Sequence, residues 1–339
     1  MMDTVQILKI IKPIMLPIQF YDGLVFKSKK IDINKTILLL GTPRSGTTWL
    51  MEIFRTLPSY VSLFEPINPI FFPESYEVGF RARPYLSNDY KWPEGKKFLE
   101  KAFTGKNYTK VPLYQLSPKM IMNRFLGDKL IVKAIGLNRI LPWIANNFKL
   151  RGIIFIIRHP CAVISSQLKT GYCGYHLSHY PYSDIFPTKE HVMQEAKEIP
   201  NIDESIIKRL EKIKTKEEIL AAIWCLDNII PLSYKRPYPW NFVVYEKIVT
   251  DGEKVVTKLF QEIGEETIPK SAINKLNIPS MLAPRDELKV VTNSNKQLSK
   301  WKKTLSNDQI NKILSIVTDF GLDFYTEDIE PDYKNKYLK

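Results

Sequence analysis

The 339-residue sequence predicts an α/β protein with a central parallel sheet and helices on both faces. Three observations predict it. Short apolar, β-branched runs recur at 36–40, 130–134, 152–157 and 241–245, and read as buried strands. Segments with helical apolar spacing separate them, as crossovers between parallel strands require. Two of the runs also break into turns that open directly into helices, at 41–47 and 158–160.

The elements follow in order. Residues 1–35 contain an apolar stretch, but Lys9, Lys12, Pro13 and Pro17 interrupt it. It falls short of the roughly 18 apolar residues of a bilayer span and lacks a small-residue cleavage site. It is expected to dock on the domain; contact with a membrane surface is the alternative. The stretch ILLLGTPRSGTTWL (37–50) then gives strand, Gly-containing loop and helix, with Trp49, Leu50, Ile53, Phe54 and Leu57 in helical register. That geometry aims backbone N–H groups at an anion. Gly41 and Gly46 are four residues apart, as in a P-loop, but Thr47 stands where the P-loop lysine would be. Arg44 is the one cation in this loop.

Region 65–114 is rich in Pro and aromatics and is expected to supply substrate-facing loops. Region 171–187 (GYCGYHLSHYPYSDIFP) reads either as a lid or pocket wall, or as an ordered surface loop. The second motif is IIFIIRHPCAVISSQL (153–168): a strand ends at Ile157, Arg158 sits at its carboxyl end, and Pro160 opens a helix over 162–168. The eight-residue step from Arg158 to Ser166 lets both side chains face one anion, the arginine as a permanent bidentate cation. Further helices are predicted over 216–231, 251–264 and 307–321, with Trp224 and Leu226 in the core. VVYEKIV (243–249) reads as a strand end carrying Tyr245 and Glu246. The organisation predicted is a docking segment 1–35, one domain 36–325 and a tail 326–339.

Composition narrows the function. Net charge is +13, which favours anionic ligands, but acidic residues are interspersed with the lysines and no long basic run occurs. Nucleic acid is therefore not expected as a partner. Three cysteines, Cys161, Cys173 and Cys225, without close pairs argue against a disulfide framework and a zinc site, and point to a reducing cytoplasm. No metal-ligand cluster is evident, so no metal is expected.

The two motifs together resemble those of sulfotransferases that use 3′-phosphoadenosine 5′-phosphosulfate (PAPS). TPRSGTTWL looks like the family's 5′-phosphosulfate loop and RHPCAVISS like its 3′-phosphate motif, in the same order and with the same Arg-to-Ser spacing. SNKQLSKWKKTLS (294–306) is similar to the family's C-terminal basic loop around a Trp-Lys pair, without the loop's glycines. The resemblance spans about residues 36–320.

It implies a sheet of the P-loop-like sulfotransferase type, transfer of a sulfonate from PAPS to a hydroxyl acceptor, and release of adenosine 3′,5′-bisphosphate. A carbohydrate or small natural product is the acceptor expected. Carried over by residue, Ser45, Gly46, Thr47 and Thr48 hold the 5′-phosphate, and Arg44 contacts the oxygen bridging phosphate and sulfonate. Trp49 either stacks on adenine or packs in the core. Arg158 and Ser166, with Ser165, hold the 3′-phosphate, and Lys296 and Lys302 assist around Trp301.

In cytosolic members a histidine two residues beyond a strand-end lysine takes the acceptor proton; here Lys133 is kept but Ile135 replaces the histidine. Glu65, in SLFEPINP, is the substitute expected, since carbohydrate-type members carry a similar segment, with His176 and His179 next. Its alternative is a structural carboxylate paired to a cation; for Lys133 the alternatives are steering the sulfonate or a structural ion pair. His159 is expected to cap or pack. Two other readings compete: a nucleotide kinase with a degenerate P-loop, and a non-catalytic module binding anions or a membrane surface.

Overall fold

The structure is a computed structural model and describes residues 28–69, 72–80, 83–107, 126–172, 187–200, 202–280 and 294–338. His176 and His179, most of the 171–187 region and the first 27 residues lie outside that set.

Five parallel strands form one sheet: β1 (Thr36–Gly41), β2 (Tyr60–Phe64), β3 (Lys129–Ala134), β4 (Gly152–Ile157) and β5 (Asn241–Val244), in the order β2-β3-β1-β4-β5. Twelve helices matter below: α1 (Thr47–Phe54), α2 (Pro93–Phe103), α3 (Leu141–Asn147), α4 (Pro160–Thr170), α5 (Lys189–Glu198), α6 (Glu204–Leu210), α7 (Lys216–Ser233), α8 (Tyr245–Thr250), α9 (Gly252–Glu262), α10 (Lys270–Leu276), α11 (Ser294–Leu298) and α12 (Asn307–Asp319).

The strand runs are continuously apolar because both faces are covered. Leu38, Leu40, Val132 and Phe155 point to one face, where they pack with α2, α4, α7 and α12. Ile37, Leu39, Ile131 and Ile154 point to the other, with α1, α9 and α10. This is the α/β sandwich the sequence predicts.

Two strand readings need correction. YVSLF (60–64) escapes the sequence pattern because it is five residues long and interrupted by Ser62, yet it forms the buried edge strand β2. The 241–245 run ends one residue early: Tyr245 opens α8. There Tyr245 turns to pack against Trp49, and the Glu246 carboxylate is held by the His159 backbone. The segment set apart as a tail folds back on the domain, with Arg236 donating to the carbonyl of Tyr337 and the His159 ring bonded to that of Thr326.

No helix among the described residues is long and apolar enough to cross a membrane. The chain leaves β1 towards β3 and β2, then returns to the other side of β1 for β4 and β5. The order therefore reverses between β1 and β4. Open α/β sheets bind ligands in the crevice beyond the strand ends at such a point, and both sequence motifs lie there.

Candidate functional site

The loop after β1 is held from below. Asn228 of α7 and Asn138 donate to the Thr42 hydroxyl at 3.2 and 3.4 Å, and Gln167 of α4 donates to the Pro43 carbonyl at 3.0 Å. Gly41 is required by close approach: a Cβ there would lie 2.6 Å from the Ile156 carbonyl oxygen. Arg44 and Gly46 both take left-handed conformations, with φ of 75° and 101°. This curls the backbone into a concave turn and leaves Gly46 at the head of α1 without a side-chain cap. The first-turn N–H groups of α1 have no carbonyl partner within the helix and face the crevice.

The Ser45 N–H donates to the Thr42 carbonyl at 3.0 Å, closing the turn, and its buried hydroxyl has no partner among the described residues. Gly46, Thr47 and Thr48 instead line the cavity.

Gly46 is also fixed by its neighbour: an added Cβ would lie 2.6 Å from Cδ2 of Tyr245. Gly46→Ala combines that clash with a left-handed backbone, which costs an L-residue about 1–2 kcal/mol. The melting temperature is expected to drop by about 3 °C for a loss near 2 kcal/mol in a chain of 339 residues. An unchanged melt by calorimetry would mean that ring and loop relax freely.

The second motif meets the first. His159 is the N-cap of α4, Nδ1 accepting from the Cys161 N–H at 3.1 Å, and Pro160 is the first helical residue. Arg158, at the end of β4, donates through Nη1 to the Arg44 carbonyl at 3.2 Å, and Arg44 Nε donates to the Ser166 hydroxyl at 2.9 Å. The Arg158 guanidinium lies 4.2 Å from the centre of the Tyr245 ring. Ser165 donates to the Thr304 hydroxyl at 2.9 Å. Residues more than a hundred positions apart are thereby joined in one constellation. Burial pushes the His159 pKa down to about 3, so its ring is neutral and serves as a cap.

These groups line a cavity of about 420 Å³. Its charged lining residues are Arg44, Lys133, Arg158, Lys169 and Lys300 against one carboxylate, Glu65. That imbalance favours a polyanion. Trp49 borders it with Leu276, Ile278 and Pro279; the indole N–H donates to the carbonyls of Lys275 and Ile278, which pins this apolar wall.

Of the basic residues near Trp301, Lys300 lines the cavity, whereas Lys296 and Lys302 do not. Trp301 is buried and locks the turn Lys300–Lys303, so that Lys300 and Thr304 face inward while Lys302 lies over the outer Trp301 ring. Tyr245, Gln297, Lys169 and Thr170 complete this side and were not evident as site residues in the sequence.

At the other end sit Phe64, Glu65, Lys133 and Ile135. The β2–β3 register places Phe64 beside Lys133, and Glu65 just past it. Glu65 has a left-handed backbone (φ 52°), an unusual conformation for glutamate. Its carboxylate is ion-paired with Lys133 and accepts the Ile135 N–H at 3.0 Å. Lys133 also lies over the Phe64 ring. Both are buried, Glu65 at 0% and Lys133 at 4% exposure.

No protein-family model and no curated protein sequence matches the chain. Its structure is similar to three solved sulfotransferase structures. The sulfotransferase domain from the Synechococcus PCC 7002 olefin synthase is 17% identical, with 87% of this chain and 97% of that chain covered and a TM-score of 0.43. The sulfotransferase domain from the curacin biosynthetic pathway is 15% identical, covering 86% and 99%, with a TM-score of 0.40. Mouse sulfotransferase SULT7A1 complexed with PAP is 12% identical, covering 88% of each chain, with a TM-score of 0.42.

Proposed function

We propose that this protein is a sulfotransferase that moves the sulfonate of PAPS to a hydroxyl acceptor. The observation that carries the reading is the junction of the two motifs: Arg158 on the Arg44 carbonyl and Arg44 on Ser166, at the strand-order reversal. One cavity then offers two anion subsites, and its five cations to one carboxylate suit a donor with two separate phosphates.

The residues fit the donor. The left-handed turn at Gly46 and the uncapped start of α1 would hold the 5′-phosphate, with Thr47 and Thr48 beside them. Arg158 and Ser166 would hold the 3′-phosphate, with Lys300 and Thr304 close by. Trp49 and the 276–279 wall offer an apolar slot for a purine. When bound, PAPS supplies an activated sulfonate whose S–O bond to the phosphate breaks as the acceptor oxygen bonds to sulfur. Arg44 places a fixed cation where charge gathers on the leaving oxygen.

On the acceptor side, the hydroxyl proton passes to Lys133 Nζ as Lys133 hands its own to Glu65. This reading uses the ion pair as it stands, with both residues lining the cavity. A carbohydrate or small natural-product hydroxyl is the acceptor class proposed.

The test is incubation with sulfonate-labelled PAPS across sugars, phenols and alcohols, alongside calorimetric titration of adenosine 3′,5′-bisphosphate. Label transfer insensitive to EDTA is expected. ATP-supported, EDTA-sensitive transfer would replace this reading with a kinase; vesicle binding without bisphosphate affinity would replace it with a surface-binding module.

Arg158→Ala removes a charge-assisted contact, and bisphosphate Kd is expected to rise by about 10–100-fold. Adenosine 5′-monophosphate, lacking the 3′-phosphate, should bind as before. Equal losses for both ligands would remove Arg158 from the 3′ subsite.

A further inference from the structure

Tyr245 and Glu246 follow β5 directly and face opposite ways. Tyr245 lines the cavity beneath the Arg158 guanidinium. Glu246 turns inward and is 1% exposed. Its Oε1 accepts the His159 N–H at 3.0 Å, and its Oε2 accepts the Tyr325 O–H at 2.9 Å.

The His159 N–H and the Arg158 C=O belong to the same peptide group. That carbonyl accepts from the Trp224 indole N–H at 3.2 Å. The planar unit following the phosphate arginine is therefore gripped at both ends, by Glu246 and by Trp224. The His159 ring adds a third hold: with Nδ1 accepting from Cys161, Nε2 carries the proton and donates to the Thr326 carbonyl at 2.9 Å. Its face stacks on Trp301, whose turn brings Lys300 to the cavity.

Tyr325 and Thr326 lie beyond α12, past the last helix of the fold. The C-terminal segment thus fastens the floor of a site formed by much earlier residues.

We propose that Glu246 and Tyr325 are positioning residues for Arg158, and that the segment 324–326 thereby sets how tightly the cavity holds the second phosphate of its ligand. This rests on the reading above that Arg158 serves the 3′-phosphate. The physical case is geometric. A bidentate arginine contact tolerates little misdirection, because hydrogen bonds weaken steeply away from linearity. Tyr245 fixes the guanidinium by stacking, and Glu246, the next residue, fixes the peptide that carries it. A carboxylate suits the latter task, since both its oxygens only accept and both neighbours donate. Neither Glu246 nor Tyr325 borders the cavity, so any effect on ligand is indirect, and a loss confined to the bisphosphate marks Arg158 as the group through which it acts.

The test is calorimetric titration of adenosine 3′,5′-bisphosphate and adenosine 5′-monophosphate on the full chain. Tyr325→Phe keeps the ring and deletes the O–H. It should raise bisphosphate Kd by about three- to tenfold with the monophosphate Kd unchanged, the fold-change of one lost hydrogen bond. Glu246→Ala should raise it at least as much, and Glu246→Gln, which retains one acceptor oxygen, should recover most of the loss. If Glu246→Ala does not fold, Tyr325→Phe decides alone.

Parallel weakening of both ligands, or no change in Tyr325→Phe while Arg158→Ala abolishes the preference for the bisphosphate, overturns the positioning role. A preference that survives Arg158→Ala has a different signature: it overturns the 3′-phosphate reading itself, and the positioning role with it.

Discussion

Arg44→Ala is expected to lower kcat by about 10²–10³-fold, the loss seen when one preorganised donor to a developing negative charge is removed. Bisphosphate affinity should change by less than about threefold, because the variant leaves the other phosphate contacts in place. Three features make the variant clean. The left-handed φ of 75° is no worse for alanine than for arginine, since both carry a Cβ. The carbonyl that accepts from Arg158 belongs to the backbone and survives. Ser166 loses the Arg44 donor but keeps its own O–H for the ligand. Arg44→Lys keeps the charge but not the fork, and should fall between the two. Steady-state kinetics with calorimetry separates rate from binding; an unchanged kcat removes Arg44 from the leaving group.

Glu65→Gln is expected to lower kcat by about 10²–10³-fold. An amide is nearly the same shape and can still accept the Ile135 N–H, so the loop after β2 should hold. It can no longer take the proton that Lys133 passes on. Bisphosphate affinity should not move, since Glu65 lies at the opposite end of the cavity from Arg158 and Ser166. An unchanged rate would move the search for the base to His176 and His179.

The sheet was legible because its strands are buried on both faces, which writes continuous apolar runs such as ILLL and GIIFII plainly into the sequence. β2 was not, since five residues around Ser62 carry too little pattern. With it went the signal for the Glu65–Lys133 pair, which depends on the register of Phe64 beside Lys133. The two motifs are local strand–turn–helix units, so the elements that carry Arg44, Arg158 and Ser166 could be read directly. Tyr245 beneath Arg158, and Lys300 rather than Lys302 beside Trp301, arise from contacts between distant segments and from the phase of a short turn. Neither leaves a periodic trace. The Ser45 N–H bond to the Thr42 carbonyl, which closes the turn, likewise leaves no mark in the sequence.

The reversal of strand order between β1 and β4 has a mechanical consequence. The cavity straddles the seam where two halves of the sheet meet, one reached through β3 and β2, the other through β5. An anion held by the Gly46 turn on one side and Arg158 on the other acts as a rivet across that seam. At a hundredfold excess over Kd, such a rivet adds about 2.7 kcal/mol against any opening that separates the halves. On the function proposed above, the loaded protein would resist opening along that seam, and departure of the bound anion would remove that resistance.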